Sequence, residues 1–206
     1  MTYHHLHHKQ DGFSLVETLV AISILLVVMI GPMTISMSTA RSTSFSSEQV
    51  VAFFLAQEGA ELAQRARDQF LLDFFDDPVA NPTPWGDFLD ETAAGQYGLC
   101  YQTAGCGLEL VDGSAVGALA APKSCASLGC KVYFDAAGGR ARYTYAVSGN
   151  EQTDYTRTIR FTKVPVGASA DDDVRVVSEV TWRSGSFRQL QSVKVETHLF
   201  NVYETP

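Results

Sequence analysis

The chain has 206 residues, 46% of them apolar and 18% charged, with a formal net charge of −8. An acidic surface disfavours broad phosphate binding, so nucleic acid is not an expected partner. There is no Gly-x-Ser-x-Gly elbow, phosphate loop or internal repeat, and His198 is the one histidine beyond the opening residues, so no catalytic residue, cofactor or metal site is expected.

The chain opens with MTYHHLHHKQDG. Four histidines near a terminus, without other ligands, read as a polar leader rather than a metal site. One Lys and one Asp leave this leader formally neutral, so it gives little guidance on membrane orientation.

The next segment is apolar. Thr18 to Ala40 contains no charged residue, and its densest part, Leu19 to Met33, is dominated by Leu, Val, Ile and Met. About 20 helical residues, at about 1.5 Å each, cross a hydrocarbon core about 30 Å thick. Phe13 to Met33 meets that length. A buried core helix is the competing reading, and the uncharged length argues against it. Gly31-Pro32 closes the densest part, where the missing N–H of proline predicts a kink or a melted turn. Glu17 raises a separate question. A carboxylate inside a membrane helix is costly, and its partner should be sought. Without one, Glu17 would lie at headgroup level and face water.

Two processing routes fit these residues. In one, the apolar segment is an ordinary secretory signal, cut after Ser38-Thr39-Ala40 to leave Arg41 at the new terminus. In the other, the cut falls after Gly12 and the span stays on the protein. The segment is long for a signal core, and an acidic residue at its start is unusual for one. Both points favour the second route.

The stretch Gly12-Phe13-Ser14-Leu15-Val16-Glu17, followed by an uncharged span with a proline near its far end, resembles the cleavage and methylation motif of type IV pilins and type II secretion pseudopilins. Asp11 departs from the family pattern, which more often has a basic or small polar residue there. The resemblance implies a structural role rather than an enzymatic one, with no cofactor. It implies that a membrane prepilin peptidase cuts between Gly12 and Phe13 and methylates the new Phe13 amine. It implies other pilin or pseudopilin subunits and an inner-membrane assembly platform as partners. The chain would reside in the cell membrane, among lipid, before joining an extracellular or periplasmic filament. It also gives Glu17 a partner: in helices packed with axial stagger, its carboxylate would lie near the Phe13 amine of a neighbour. In a dry core such a pair sets register more surely than it adds stability.

Residues 41–77 are predicted to continue the helix. Val51, Leu55, Leu62, Ala66, Phe70 and Phe74 recur at helical spacing on one broad face. Glu58 interrupts that face, and Gly59 costs about 1 kcal/mol relative to Ala in a helix interior. Glu61, Arg65, Arg67 and Asp68 lie mostly off it. Asp76-Asp77-Pro78 ends the helix.

Residues 78–206 have the size of one ordinary domain. Val79 to Gly98 reads as a loop with at most a short helical turn, and Trp85 and Phe88 as its anchors. The remainder is β-rich. One hairpin is expected around Ala136–Gly139 and a second around Ser184-Gly185-Ser186. Ile159 and Phe161 alternate with Arg and Thr. Val193, Val195 and Leu199 share one face of the last strand, and Lys194, Glu196 and His198 the other. This alternation suits an antiparallel sheet with one face packed on a helix.

Cys100, Cys106, Cys125 and Cys130 lack the C-x₂-C spacing common in zinc ribbons. An even count in a segment expected outside the cytoplasm reads as two disulfides, with three connectivities open. Buried free thiols are the other reading. Asp171-Asp172-Asp173 has oxygens for Ca²⁺ but not EF-hand spacing, and reads as a solvated loop. The expected fold is therefore α+β and pilin-like, with one long N-terminal helix and a disulfide-bearing antiparallel β domain. A reading from another class is a membrane-anchored or secreted β domain that binds a surface ligand without polymerising. An anchored hydrolase is a third.

Overall fold

The computed structural model describes residues 12, 14–77, 79, 83–92, 94–111, 117–137, 141–165, 173–184 and 189–201. The chain divides into two compact units between Ser44 and Phe45. One helix, α1 (Leu15–Asp76), begins in the first unit and ends in the second.

In the first unit α1 continues through Gly31-Pro32 with no melted turn. Proline normally crowds the Cβ of the preceding residue and pushes it out of helical geometry. Gly31 has no Cβ, which eases that clash. The apolar residues from Leu15 to Met37 are all exposed, so this segment is not the core helix of a soluble fold. It is long and apolar enough to cross a membrane.

In the second unit α1 packs on an antiparallel sheet. The short elements are α2 (Pro84–Phe88), α3 (Gly98–Tyr101), β1 (Cys106–Gly107), β2 (Lys123–Ser124) and α4 (Cys125–Leu128). The main strands follow: β3 (Lys131–Asp135), β4 (Arg142–Thr144), β5 (Glu151–Val164), β6 (Asp173–Ser184) and β7 (Gln189–Leu199). β5 is the central strand. One edge carries β3, with β4 beyond it, and further along β1, with β2 beyond it. The other edge carries β6 and then β7. The fold is therefore α+β, with a long N-terminal helix and a C-terminal antiparallel sheet.

Alternation fixes which sheet face meets α1. In β6, Val174, Val176, Ser178, Val180 and Trp182 are buried, and the residues between them are not. Shifting register by one residue would expose this whole set. On the other face Glu179 takes Arg160 at 3.0 Å and Lys194 at 3.4 Å, and Glu196 lies 3.8 Å from Arg175. Such exposed pairs add little stability. In β7, Val193 and Val195 are half-buried and Leu199 is buried, while Lys194, Glu196 and His198 are exposed, as the sequence pattern predicts.

The helical stripe packs where expected. Leu55, Leu62 and Ala66 are buried, and Val51 and Phe70 lie against the core. The Phe74 side chain lies outside the described residues. The centre of the contact, however, is made by small residues that the spacing of large ones did not single out: Ala52, Ala56, Ala60 and Ala63 are all buried. Gly59 lies close against the sheet. A Cβ there would stand 2.3 Å from Ser178 Oγ on β6, so the cost of glycine in the helix is the condition for close helix–sheet packing.

Trp85 and Phe88 are buried anchors on α2, stacked at 5.5 Å. Phe88 and Tyr101 both reach Phe161 of β5. The expected hairpins correspond to the β3–β4 and β6–β7 pairings. Their turn residues Gly138, Gly139, Gly185 and Ser186 lie outside the described residues, as do Asp171 and Asp172; Asp173 opens β6.

The cysteines form two local disulfides, Cys100–Cys106 and Cys125–Cys130, and none of the four is free. The first ties α3 to β1. Gly105, just before Cys106, has φ +70°, and a Cβ there would meet the Ile159 carbonyl oxygen at 2.7 Å. Both the left-handed backbone and the close approach to β5 call for glycine at this position.

Candidate functional site: the processing motif and the helix behind it

Gly12 and Ser14 are exposed, and α1 begins at Leu15. Phe13, the expected site of cleavage and methylation, lies outside the described residues. Glu17 sits in the first turn of α1 and is exposed. Among the described residues it has no hydrogen-bond or ion-pair partner. A carboxylate in the first helical turn faces the positive end of the helix dipole, worth about 0.3–1 kcal/mol. Its position at the start of the apolar helix, rather than the middle, reduces the membrane penalty that its sequence context suggests.

Five hydroxyls of the first unit are satisfied within the helix itself. The hydroxyls of Thr18, Ser23, Thr34, Thr39 and Thr43 donate to backbone carbonyls one turn back, at 2.8–3.0 Å. Groups paired in this way require no water, which suits a lipid or dry protein environment. Thr34 donates to the Gly31 carbonyl, directly beside Pro32.

Behind the span, the second half of α1 is locked onto the sheet by a buried cation. Arg157 of β5 is 1% exposed. Its Nη1 donates to Glu58 Oε2 at 2.6 Å, its Nη2 to the Leu108 carbonyl at 3.1 Å and its Nε to the Tyr145 hydroxyl at 2.8 Å. The Tyr145 hydroxyl in turn donates to the Arg157 carbonyl at 3.1 Å. Burial disfavours the Arg157 charge, but Tyr145 and Glu58 outweigh it and hold its pKa above the ordinary value. Two residues before it on the strand, the Tyr155 hydroxyl donates to the Glu48 carbonyl at 3.1 Å. Neighbouring inward positions of β5 thus bind two turns of α1 and fix its axial position on the sheet.

Sequence reasoning noted Glu58 only as a break in the apolar stripe, and placed arginine on the outward parity of β5. That holds for Arg160 but not for Arg157, which shares parity with buried Ile159 and Phe161. The two exceptions to the apolar pattern are each other's partner. An acidic residue on a helix stripe and a basic residue on an inward strand position together formed the missed signal.

A part-buried carboxylate supports the edge of β5 that carries β1 and β3. Glu109 pairs with Lys123 and accepts from Thr144 Oγ1 at 2.9 Å and the Tyr145 N–H at 2.8 Å. Burial raises its pKa, but these hydrogen bonds outweigh burial and hold it below the usual carboxylate range. Among the described residues no cluster of three or more His, Cys, Asp or Glu could hold a metal ion.

Residues 7–31 match the family model for the prokaryotic N-terminal methylation motif. This match supports the type IV pilin and pseudopilin family on the residues, Gly12 to Glu17, that carry the resemblance. No curated protein and no solved structure matches the chain.

Proposed function

We propose that this chain is a structural, non-catalytic and minor subunit of a type IV pilus or a type II secretion-like pseudopilus. The observation that carries the reading is the methylation motif at residues 7–31, which runs into an exposed helix with no charge from Thr18 to Ala40. Prepilin peptidase cuts between Gly12 and Phe13 and methylates the Phe13 amine. The mature chain waits in the inner membrane, meets the assembly platform there and leaves the lipid by packing against other subunits. Glu17 sets the register of that packing by pairing with a neighbour's Phe13 amine.

N-terminal mass spectrometry of the membrane and filament fractions tests this. The expected terminus is N-methylated Phe13. A terminus at Arg41 overturns the proposal and makes the chain a released β domain. In the same assay Glu17→Ala keeps the Phe13 terminus and membrane insertion, while its share in sheared filaments falls about tenfold or more, because an amine left unpaired in a dry site costs several kcal/mol. Incorporation equal to the wild type would reduce Glu17 to an interfacial residue.

A further inference from the structure

The two disulfides close loops of nearly equal size, with sequence separations of 6 and 5. Their surroundings differ. Cys100 and Cys106 are both 0% exposed and belong to the main core with Leu108 and Ile159. Cys130 is buried in a small separate cluster with Val132 and Tyr145, and half-buried Cys125 packs against that cluster. A pocket of about 80 Å³ reaches Cys130 and is lined also by Lys123, Lys131, Tyr133, Tyr145 and Val147. Two ammonium side chains and no carboxylate line it. Glu109 holds Lys123, whereas the Lys131 ammonium has no hydrogen-bond or ion-pair partner among the described residues.

The backbones differ as well. Among the described residues Cys130 is the one non-glycine with positive φ, at +48°, directly after Gly129 at +66°. The left-handed region is unfavourable for a residue that carries a Cβ. The other disulfide avoids this, because its left-handed position falls on Gly105 rather than on a cysteine.

We infer that Cys125–Cys130 is a thiol–disulfide exchange site whose co-reactant is a dithiol, and that Cys100–Cys106 is inert. The inference does not depend on the filament reading. A thiolate of the dithiol attacks the sulfur of Cys125, the more exposed cysteine. A mixed disulfide forms, the Cys125–Cys130 bond breaks, and its electron pair leaves on the Cys130 sulfur as a thiolate. The second thiol of the dithiol, losing its proton, then attacks the mixed disulfide and releases Cys125 as a thiolate. The dithiol ends as a disulfide, the chain gains two electrons, and two protons complete its two thiols. The Cys130 thiolate forms beside the pocket that Lys123 and Lys131 line. A neighbouring cation favours the thiolate, and a better leaving group speeds exchange. Opening the bond also frees Cys130 from its left-handed backbone. The Cys130 carbonyl accepts from the Arg157 N–H at 3.1 Å, so exchange is felt on β5 at the residue whose side chain locks α1.

The test treats the full chain in detergent with dithiothreitol under native conditions, quenches by alkylation at timed intervals and maps modified cysteines by mass spectrometry. Cys125 and Cys130 are expected to become alkylated about tenfold or more faster than Cys100 and Cys106. Glutathione, a monothiol, is expected to leave its mixed disulfide on Cys125. Lys131→Gln is expected to keep the wild-type unfolding midpoint and to slow opening of Cys125–Cys130 about threefold. Amide hydrogen exchange at Arg157 is expected to rise once the bond is open. Reduction of both bonds at one rate, or of Cys100–Cys106 first, overturns the inference. A rate that rises in step with the unfolded fraction in dilute denaturant overturns it too, since exchange would then belong to the unfolded chain. A glutathione adduct on Cys130, or an unchanged rate in Lys131→Gln, overturns the route of attack, and unchanged protection of Arg157 overturns the link to β5.

Discussion

The same helix lives two lives along its length. From Leu15 to Ser44 large side chains are displayed with no protein cover, and from Phe45 to Asp76 small ones are hidden under a sheet. Leu25 is 56% exposed, whereas Ala52, Ala56, Ala63 and Ala66 are fully buried. Hydrophobicity alone would rank these halves in the wrong order. What separates them is the available partner: the second half has a sheet of its own chain, close enough for Gly59 to meet Ser178, and the first half is long and apolar enough to cross a membrane.

The largest expected effect exploits this contrast with one chemistry at two places. Leu108→Ala, at a fully buried position in the second unit, should cost about 2–5 kcal/mol. Leu25→Ala should change stability by no more than about 0.5 kcal/mol, because it leaves no cavity in the protein. Denaturant unfolding in detergent, read by near-UV circular dichroism, checks both. Equal losses at the two sites would end the distinction between the two units.

A smaller effect tests what holds the second half in place. Glu58→Ala leaves Arg157 buried without its carboxylate. The fully desolvated limit for such a loss is about 3–5 kcal/mol. Glu58 is itself 45% exposed, and Tyr145 and the Leu108 carbonyl remain as partners, so about 2–3 kcal/mol is expected. The same substitution at Glu61, exposed and off the stripe, should fall within about 0.5 kcal/mol. Similar midpoints for the two variants would show that the Arg157 cluster does not lock the helix.

The smallest effect is a pH dependence confined to the second unit. The Glu109 pKa is lower in the folded chain than in the unfolded one. Its contribution is therefore fully present above the unfolded carboxylate range, and it is lost as pH falls through the lower folded value. Unfolding midpoints should drop on acidification below about pH 4, and Glu109→Gln should flatten that slope. A wild-type slope retained in the variant would assign acid lability to other carboxylates.

The processing motif was legible because its recognition is local: Gly12 to Glu17 is read in order, whatever the rest of the chain does. The antiparallel sheet was legible because strand alternation is local too, as Val193, Val195 and Leu199 show. The Arg157 cluster was not. Glu58 and Arg157 are distant in sequence, and each looks like an error in its own pattern until the helix lies on the strand. The central alanines were also missed, since a stripe of large residues marks the rim of a close contact rather than its middle.

The sequence by itself determined the uncharged helix, the motif before it, the α+β class and an even set of cysteines. Each follows from composition or spacing within a few turns or one strand. Only the tertiary structure decided that Cys100 joins Cys106 and Cys125 joins Cys130, that Gly59 lies against Ser178, and that Arg157 points inward. These depend on which distant segments share space. Burial converts a charged side chain from a surface group into one that must find every partner inside the fold.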